Sequence, residues 1–600
     1  MGREVRERIE QLREKMAERG MDAYLIPTSD FHGSEYVSEY FKCRKYMTGF
    51  TGSAGTAIIT MEDAGLWTDG RYFVQAAAEL SGSGVKLYRS GQEGVPTTLE
   101  FLKKHMPEQG VLGFDGRVVD TAEGEHIAKA LSGKKVRISE GEDLIGSIWD
   151  DRPALPMNPV WILEEKYAGK PAAEKIADLR GEMKKCQATV HLLTSLDDIA
   201  WLLNIRGDDI VHTPVVLSYL IVTKQELFFF IHEKTLNEEV RAYLHGLGVR
   251  IMPYEAVYQI ASAFRYERVL LEKSKINYRL FRCLDASVKV IEAMNPTAAA
   301  KAVKNPVEQE NMRRVHVQDG LVLTRFLRWM KEHAGEKGLD EWTAGEYLDK
   351  LRLEQKNCLD MSFTTISAWG SNAAMCHYTA SETEKSSVPK KGLYLVDSGG
   401  QYYEGTTDIT RTIVVGPLTE EEKEHFTITA MGTLRLGNAK FLHGCIGINL
   451  DYLARQAFWE RGLDFNHGTG HGVGYLLNVH ERPNGFRWKM VPERMENAVL
   501  EEGMLTSDEP GIYIEGSHGI RTENLMLCRK AEKNMYGQFM RFEFVTMVPI
   551  DLDGIDTQYM TEKDVELLNN YHKEVYEKIS PYLEGDEKEW LKEATRTISK

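Results

Sequence analysis

The chain has 600 residues, of which 27% are charged, and its formal net charge at pH 7 is −16. This length exceeds what one hydrophobic core can organise, so we expect several domains. The acidic balance argues against nucleic acid as a partner, because phosphate binding draws on a surplus of lysine and arginine. The longest apolar runs are too short to span a bilayer, so we expect no membrane partner either.

The cysteine pattern indicates a reducing environment. The seven cysteines are scattered and include no Cys-x-x-Cys pair. They therefore predict neither a disulfide framework nor a thiolate zinc site. The first eight residues are typical of a charged helix rather than a signal peptide. We expect a cytoplasmic protein.

The first part of the chain mixes helix and strand patterns. Apolar residues at helical spacing predict an opening helix, with a buried face made of Val5, Ile9, Leu12 and Met16. Residues 22–27 then predict a buried strand, and residues 55–60 and 64–68 predict a hairpin. Three prolines at positions 153, 156 and 159 predict a linker, since each fixes φ and lacks an amide proton.

The segment after this linker repeats the order and chemistry of the first. The matched pairs are residues 23–30 with 190–197, 46–52 with 201–207, and 57–67 with 220–230. We therefore predict a duplicated α/β domain. The alternative is that any two α/β segments share some strand and turn patterns.

A third domain begins near Asn305. This residue can cap a helix, Pro306 suits the first helical position, and Glu308 completes a capping box. Apolar residues at helical spacing follow, interrupted by Asp319, and a second helical pattern runs from Val565 to Ile579. The predicted parts of the chain are residues 1–152, 157–304, 306–550 and a helical extension at 551–600.

Four carboxylates and one imidazole in the C-terminal half form the strongest chemical signal. They lie in the segments Val-Asp397-Ser-Gly-Gly, Thr-Asp408-Ile-Thr-Arg-Thr, His-Gly-Thr-Gly-His471-Gly-Val-Gly, Asp-Glu509-Pro-Gly and Ile-Arg-Thr-Glu523-Asn. Such a set could hold two divalent metal ions, and two close ions sharing a water indicate hydrolysis. Oxygen ligands with one imidazole suit manganese, cobalt or zinc, and the carboxylate-rich set favours manganese.

Each of these residues has a structural alternative when it is taken alone. An aspartate after a strand can belong to a turn or a cap, and His471 can be a core histidine with its hydrogen bonds satisfied. Five such coincidences are not expected together, and carboxylates gathered without a cation would raise one another's pKa values. The glycines around the histidines allow close approach to a ligand, although a flexible loop is their alternative.

A hairpin is the predicted means of bringing the two aspartates together. Residues 392–397 predict a strand that ends in Asp397, and Gly399-Gly400 is a turn signal. Asp408 then stands at the start of the predicted return strand.

These segments resemble the pita-bread metallopeptidase family, which includes methionine aminopeptidase, prolidase, creatinase and aminopeptidase P. The segment Leu66-Trp-Thr-Asp-Gly-Arg-Tyr72 resembles the N-terminal domain of aminopeptidase P. The duplicated second domain and the C-terminal extension are similar to its long, three-domain cytosolic form. The fold that this resemblance implies is α/β (α+β), with two creatinase-like N-terminal domains before a pita-bread catalytic domain and its extension.

The resemblance also implies roles for individual residues. Asp397 would bind one metal, Asp408 and Glu523 would bridge both, and His471 and Glu509 would bind the other. A water between the metals would be the nucleophile. The family's remaining site residues match His377 in proton transfer, His467, His480 at the substrate carbonyl, and Arg521 as an orienting group. From the residues alone, a catalytic role and a buried structural role are equally supported for His377.

The implied activity is that of an Xaa-Pro aminopeptidase, which removes the N-terminal residue from peptides with proline in second position. Such peptides need a dedicated enzyme because the imide of proline has no amide proton. Family members are commonly homodimers, so a homodimer is expected. The alternatives are a prolidase, restricted to Xaa-Pro dipeptides, and a non-catalytic binding module of the same fold.

Overall fold

The computed structural model describes residues 2–491 and 496–600. They divide into two compact units. The first unit contains the residues up to Ile162 together with Pro171–Thr297, and the second contains Leu163–Lys170 and the residues from Ala298 onward. Among the described residues, no helix is both long and apolar enough to cross a bilayer.

The N-terminal half of the chain alternates short strands and helices. Its strands are β1 (Ala23–Pro27), β2 (Thr56–Thr60), β3 (Ala64–Thr68), β4 (Lys86–Arg89), β5 (Val111–Gly113), β6 (Arg137–Ser139), β7 (Trp161–Ile162), β8 (Val190–Leu193), β9 (Ile205–Arg206), β10 (Ser218–Thr223), β11 (Leu227–Ile231), β12 (Val249–Pro253), β13 (Arg268–Leu271) and β14 (Lys289–Glu292). Its helices are α1 (Gly2–Glu18), α2 (Cys43–Thr48), α3 (Phe73–Glu79), α4 (Thr98–His105), α5 (Thr121–Leu131), α6 (Glu165–Ala168), α7 (Ala172–Lys185), α8 (Leu196–Leu203), α9 (Glu238–Gly246), α10 (Ala256–Ser262), α11 (Tyr278–Arg282) and α12 (Pro296–Ala302).

The first unit contains two sheets with the same strand order. One runs β4-β3-β2-β1-β5-β6 and the other β12-β11-β10-β8-β13-β14. In each, the central strand β1 or β8 pairs antiparallel with the following hairpin and parallel with β5 or β13. The shared order confirms the predicted duplication, and the predicted hairpin is the antiparallel pair β2–β3. Helix α1 buries the predicted face of Val5, Ile9, Leu12 and Met16.

The second unit carries longer helices and antiparallel sheets. Its helices beyond α12 are α13 (Pro306–His333), α14 (Glu341–Leu353), α15 (Glu420–Gly437), α16 (Tyr452–Trp459), α17 (Glu562–Ile579) and α18 (Gly585–Ala594). Its strands are β15 (Cys358–Met361), β16 (Ile366–Trp369), β17 (Leu393–Ser398), β18 (Gly400–Tyr402), β19 (Gly405–Thr406), β20 (Ile409–Val414), β21 (Lys440–Leu442), β22 (Gly470–Gly472), β23 (Glu481–Phe486), β24 (Leu505–Asp508), β25 (Gly511–Ile514), β26 (His518–Arg521), β27 (Asn524–Asn534) and β28 (Gly537–Phe544).

Helix α13 begins as its sequence predicts. Asn305 accepts hydrogen bonds from the first turn, and Glu308 accepts one from the Asn305 amide, which completes the capping box. The interruption of its apolar face is also explained, because Asp319 forms a buried ion pair with Arg352. Helix α17 buries its predicted apolar face in the main core of the second unit.

Two sheets frame the part of the second unit that carries the predicted ligands. One has the order β16-β17-β20 and the other β21-β28-β27-β24-β22-β23. Strands β17 and β20 pair antiparallel, as predicted, but Gly399-Gly400 is not their turn. The chain leaves the sheet there, forms the pair β18–β19, and turns at residues 403–404. Gly399 is needed for close approach instead, since a Cβ atom on it would lie 2.0 Å from the Thr407 carbonyl oxygen.

Candidate dinuclear metal centre

The predicted ligands lie at strand ends that the two sheets bring together. Asp397 is in β17 opposite Thr410 of β20, and Asp408 directly precedes β20. In the larger sheet, Asp508 at the end of β24 pairs with Asn524 at the start of β27. Glu509 directly follows β24 and Glu523 directly precedes β27, so the two lie at the same edge. A hydrogen bond of 3.1 Å from the Glu523 amide to the Thr410 carbonyl links the two sheets at this point.

The side chains converge on one place. One ligand atom from each of Asp408, His471 and Glu523 lies within 4.8 Å of the others. His471 Nε2 is 3.4 Å from Asp408 Oδ2 and 3.5 Å from Glu509 Oε1. The structure therefore brings Asp408, His471, Glu509 and Glu523 together. Asp397, the fifth predicted ligand, is linked to Glu523 by hydrogen bonds through Arg521 and Thr410.

The hydrogen bonds of His471 determine which ring nitrogen faces the carboxylates. Its Nδ1 is 2.9 Å from the Gly472 carbonyl oxygen, which can only accept, so Nδ1 carries the proton. In the neutral ring, Nε2 then presents a lone pair toward Asp408 and Glu509. Without a metal, a proton on Nε2 would face these anions instead, and a divalent cation would take the place of that proton, as at metal-binding histidines.

The crowding of negative charge leads to the same requirement. Burial, with Asp408 and Glu509 adding to it, raises the pKa of Glu523 well above its usual range. Burial also raises the pKa of Asp397, although Arg521 opposes this effect. Burial alone would lower the pKa of His471, but Asp408 and Glu509 outweigh it and raise that pKa to about 9. Divalent cations bound between these side chains would relieve the repulsion among the carboxylates.

Two buried carboxylate oxygens also fit bound cations. Asp397 Oδ1 and Glu523 Oε1 have no hydrogen-bond partner among the described residues. A buried acceptor left without a partner costs about 1–3 kcal/mol, so such atoms are normally satisfied. Oxygen ligands and one imidazole suit first-row divalent ions, and the residues present therefore fit a metal centre.

Arg521 holds two of the ligands in place. It donates from Nη2 to Asp397 and from Nε to Thr410 Oγ1 at 3.0 Å. Thr410 Oγ1 in turn donates to Glu523 Oε2 at 2.8 Å. One guanidinium, fixed in the short strand β26, thus orients Asp397 directly and Glu523 through Thr410.

His467 belongs to the same network through Tyr513. Its Nδ1 is 2.7 Å from the Gly468 carbonyl oxygen, so Nδ1 carries the proton and Nε2 accepts from Tyr513 Oη at 2.8 Å. Tyr513 Oη also accepts from Arg521 Nη1 at 2.8 Å. Burial lowers the pKa of His467 to about 4, so the ring is neutral at pH 7.

The other two predicted histidines are exposed. The His480 ring packs edge-on against His471, with centroids 4.3 Å apart. His377 is exposed in the turn after the 3-10 helix Gly370–Ala374, which is inconsistent with a buried structural histidine. Its neighbour Cys376 lies within hydrogen-bonding reach of the Tyr513 side chain.

Sequence reasoning missed several residues that support the ligands. Thr410 stands two residues after Asp408, and this spacing places both side chains on the same face of a strand, so it could have identified Thr410 as a supporting residue. The sequence gave no signal for Tyr513, because only the pairing of β25 with β26 brings it opposite Gly519 and beside Arg521. Ser507, which accepts from the His471 amide at 2.9 Å, was likewise not identifiable.

Comparison with known families accounts for nearly the whole chain. Residues 8–145 and 151–308 match creatinase/prolidase N-terminal domains. Residues 310–530 match the metallopeptidase family M24, and residues 538–598 match its C-terminal region.

Individual relatives match over the same length. The chain is 40% identical to a probable Xaa-Pro aminopeptidase P of Talaromyces marneffei, over 99% of this chain and 92% of the relative. It is 38% identical to the corresponding protein of Pyrenophora teres f. teres, over 98% and 92%.

A solved structure matches in full, an X-prolyl aminopeptidase from Caenorhabditis elegans described as a cytosolic enzyme with a di-nuclear active site. The TM-score is 0.92 at 34% identity, over 99% of this chain and 100% of that one. A Bacillus anthracis Xaa-Pro dipeptidase shares the fold over 63% of this chain, at 23% identity and a TM-score of 0.51. The chain belongs to the M24 metallopeptidases, in the family of the Xaa-Pro aminopeptidases P.

Proposed function

We propose that this protein is a metal-dependent Xaa-Pro aminopeptidase, which hydrolyses the N-terminal residue from peptides with proline in second position. The observation that carries the proposal is the convergence of Asp408, His471 and Glu523 within 4.8 Å. Similarity along the full chain to proteins named Xaa-Pro aminopeptidase supports this activity over a prolidase or a non-catalytic binding module.

The proposed metal ligands are the five predicted residues. Asp397 would bind one divalent ion, His471 and Glu509 the other, and Asp408 and Glu523 would bridge them. When bound, the two ions would activate a water and polarise the scissile carbonyl. Manganese is the proposed metal, because the set is rich in carboxylates, with cobalt and zinc as alternatives.

The surrounding residues have distinct parts in this proposal. Arg521 and Thr410 orient Asp397 and Glu523 and oppose the rise of their pKa values, since both donate hydrogen bonds to carboxylate oxygens. The Gly472 carbonyl fixes the proton of His471 on Nδ1 and leaves Nε2 as a ligand atom. His467 accepts from Tyr513 and would form part of the wall against which the substrate lies.

The two exposed histidines are proposed to act on the substrate itself. His480 lies edge-on to His471 and would donate a hydrogen bond to the carbonyl oxygen as negative charge develops there. His377, in the turn beside Cys376, would transfer protons to and from the reacting groups. Both rings are exposed, whereas His467 is only partly exposed.

A second copy of this chain is the proposed partner. Three exposed aromatic side chains form a patch on the second unit: Tyr452, Trp459 and Trp488. Trp459 contacts Trp488 with ring centroids 6.1 Å apart, so the patch is continuous. Contiguous exposed apolar surface of this kind marks interaction sites.

Sedimentation of the parent and of Trp459→Ser tests the dimer. We expect a dimer for the parent and a shift to monomer for the variant. Tyr536→Ser is the matched control, because Tyr536 is an aromatic residue 74% exposed outside the patch. A monomeric parent at micromolar concentration, or an unchanged dimer in Trp459→Ser, would rule the proposal out.

The four predicted parts of the chain and the cytoplasmic location remain proposals. The family matches at 8–145, 151–308 and 310–530 support boundaries near 152 and 305, whereas the match to the C-terminal region, 538–598, begins earlier than the predicted 551. All seven cysteines lie in the described residues and are free, which suits a reducing compartment. The description of the Caenorhabditis elegans relative as cytosolic supports the same location.

Metal removal and restoration test the activity. Dialysis against a chelator should abolish release of the first residue from an Xaa-Pro-Pro tripeptide, and manganese should restore it. Elemental analysis should give two ions per active chain. If no added divalent metal produced cleavage of an Xaa-Pro peptide by the folded protein, the binding-module alternative would replace this one.

A further inference from the structure

The segment 464–469 carries His467 but has little means of holding itself in place. Gly468 has no side chain to pack, and Gly470 follows directly after the segment. A Cβ atom on Gly470 would lie 1.9 Å from the Ser507 carbonyl oxygen, so the chain runs directly over the strand that leads to Glu509. The position of this segment must therefore be fixed by groups outside it.

Arg455 of helix α16 supplies those contacts to the backbone. Its side chain is fully buried, and it donates from Nη1 to the Phe465 carbonyl at 2.8 Å and from Nη2 to the His467 carbonyl at 2.9 Å. Nη1 also reaches the Asp464 carboxylate. One planar guanidinium thus binds the segment at residues 464, 465 and 467, which its fixed fork geometry allows.

The same arginine supports the His467 ring through Phe465. Its guanidinium lies over the Phe465 ring, 3.8 Å from the centroid. Phe465 in turn contacts His467, with ring centroids 4.9 Å apart. Arg455 therefore acts on both the backbone and the imidazole of His467.

Asp451 extends the support to a metal ligand. Its Oδ2 accepts from Arg455 Nε at 2.8 Å, and its Oδ1 accepts from Thr469 Oγ1 at 2.5 Å. The Thr469 carbonyl then accepts from the Glu509 amide at 2.8 Å. A chain of hydrogen bonds thus leads from the buried ion pair to the residue proposed to bind the second metal.

We propose that Arg455 and Asp451 are positioning residues for the reaction, which hold His467 and Glu509 in their working places. The inference rests on the proposed function. A buried ion pair by itself contributes little net stability compared with apolar residues of the same volume. The Arg455–Asp451 pair acts here by fixing the backbone of segment 464–469. A displacement of about 1 Å at a reacting group can lower the rate about 100-fold.

A double-mutant cycle tests whether Arg455 acts through His467. Arg455→Met should lower kcat/KM for an Xaa-Pro-Pro tripeptide about 10- to 100-fold. In the His467→Ala background, the same change should cost clearly less, because one of its two targets is already gone and only the route through Asp451 to Glu509 remains. Fully additive losses, or a folded Arg455→Met protein with parental kcat/KM, would overturn the proposal.

Arg435→Met is the matched structural control. Arg435 makes a two-pronged pair with Asp564 at 2.8 and 2.9 Å, between α15 and α17 rather than at the His467 segment. It should lower the thermal midpoint but leave kcat/KM within about twofold of the parent. If it reduced kcat/KM as much as Arg455→Met, the effect of Arg455 would be merely structural. Asp451→Asn replaces Arg455→Met if the latter does not fold, with the same expectation for the cycle.

A spectroscopic readout separates this proposal from the peptidase assignment. With histidine labelled at the ring carbons, the parent should show His467 as a single tautomer, protonated at Nδ1. Arg455→Met should shift or broaden that signal, while Arg435→Met should not. This result would stand even if the parent cleaved no Xaa-Pro peptide, and an unchanged His467 signal in Arg455→Met would refute the positioning role.

Discussion

Arg521 donates a hydrogen bond from Nη2 to Oδ2 of Asp397, a residue 124 positions earlier in the chain. The same guanidinium reaches Thr410 Oγ1 from Nε and Tyr513 Oη from Nη1. Residues of β17, β20 and β25 thus meet at one side chain, and those of β17 and β20 lie 124 and 111 positions from it in the sequence. The positions of two proposed metal ligands, Asp397 and Glu523, therefore depend on Arg521.

Arg521→Lys should weaken metal binding while preserving the charge. An ammonium group is a single point of charge and cannot serve Asp397, Thr410 and Tyr513 together. We expect metal affinity to fall roughly 10- to 100-fold, the usual effect of losing such an orienting group. Competition with a chromogenic chelator measures it, with Arg529→Lys as the control in β27. Parental affinity in Arg521→Lys would show that Asp397 needs no orientation.

Asp408→Ala should remove at least one metal ion per chain and abolish turnover. Asp408 Oδ2 is 3.4 Å from His471 Nε2, and the residue is proposed to bridge both ions. Elemental analysis after gel filtration measures the loss, and circular dichroism checks that the fold persists. Asp553→Ala is the control, since that carboxylate pairs with Lys331 away from the site. An inactive Asp408→Ala protein with its full metal content would contradict the bridging role.

His377→Ala should keep its metal and lose turnover. The residue is exposed and is proposed only to transfer protons, a role worth about 100- to 10,000-fold in rate. We therefore expect kcat to fall by that range while the metal content stays parental. His443→Ala is the control, because His443 is also exposed and pairs with Glu501 instead. Unchanged turnover in His377→Ala would remove it from the reaction.

His572 should make the second unit less stable in acid. Burial lowers its pKa to about 3, against an ordinary value of 6.5. Above pH 6.5 the ring is neutral in both states, and its native contacts contribute in full. As the pH falls from 6.5 toward 3, the unfolded chain takes up a proton that the folded chain does not, so stability is lost.

His572→Gln isolates this effect, because glutamine can still accept from the Ile550 amide, which bonds His572 Nε2 at 3.1 Å. The variant should be less stable than the parent at pH 7, and this deficit should shrink by about 2 kcal/mol at pH 5. Urea titrations of both proteins measure the difference, in which the other titrating groups cancel. An equal deficit at both pH values would contradict the assignment.

The sequence predicted those features that repeat or that carry a local chemical reason. The capping box at Asn305 and the buried face of α1 depend on nearby residues alone, and both were confirmed. The duplication was visible because two sheets of the same strand order retain similar segments. The five ligands stood out because each lies in a short, glycine-rich or strand-end segment.

What the sequence could not predict depends on distant contacts. Gly399-Gly400 looked like a turn, yet Gly399 is required by the Thr407 carbonyl, which only the fold brings near. Tyr513 and Arg455 have no local signature, since their partners are set by a hairpin and by a helix packed against the His467 segment. Supporting residues of this kind become visible only when the strands are assembled.

Peptide-length kinetics test the central claim most directly. With manganese bound, the protein should release the first residue from an Xaa-Pro-Pro tripeptide and leave an Xaa-Ala-Pro tripeptide of the same length intact. Cleavage confined to an Xaa-Pro dipeptide would identify a prolidase instead. Equal rates on Xaa-Pro-Pro and Xaa-Ala-Pro would contradict the proposed requirement for proline in second position.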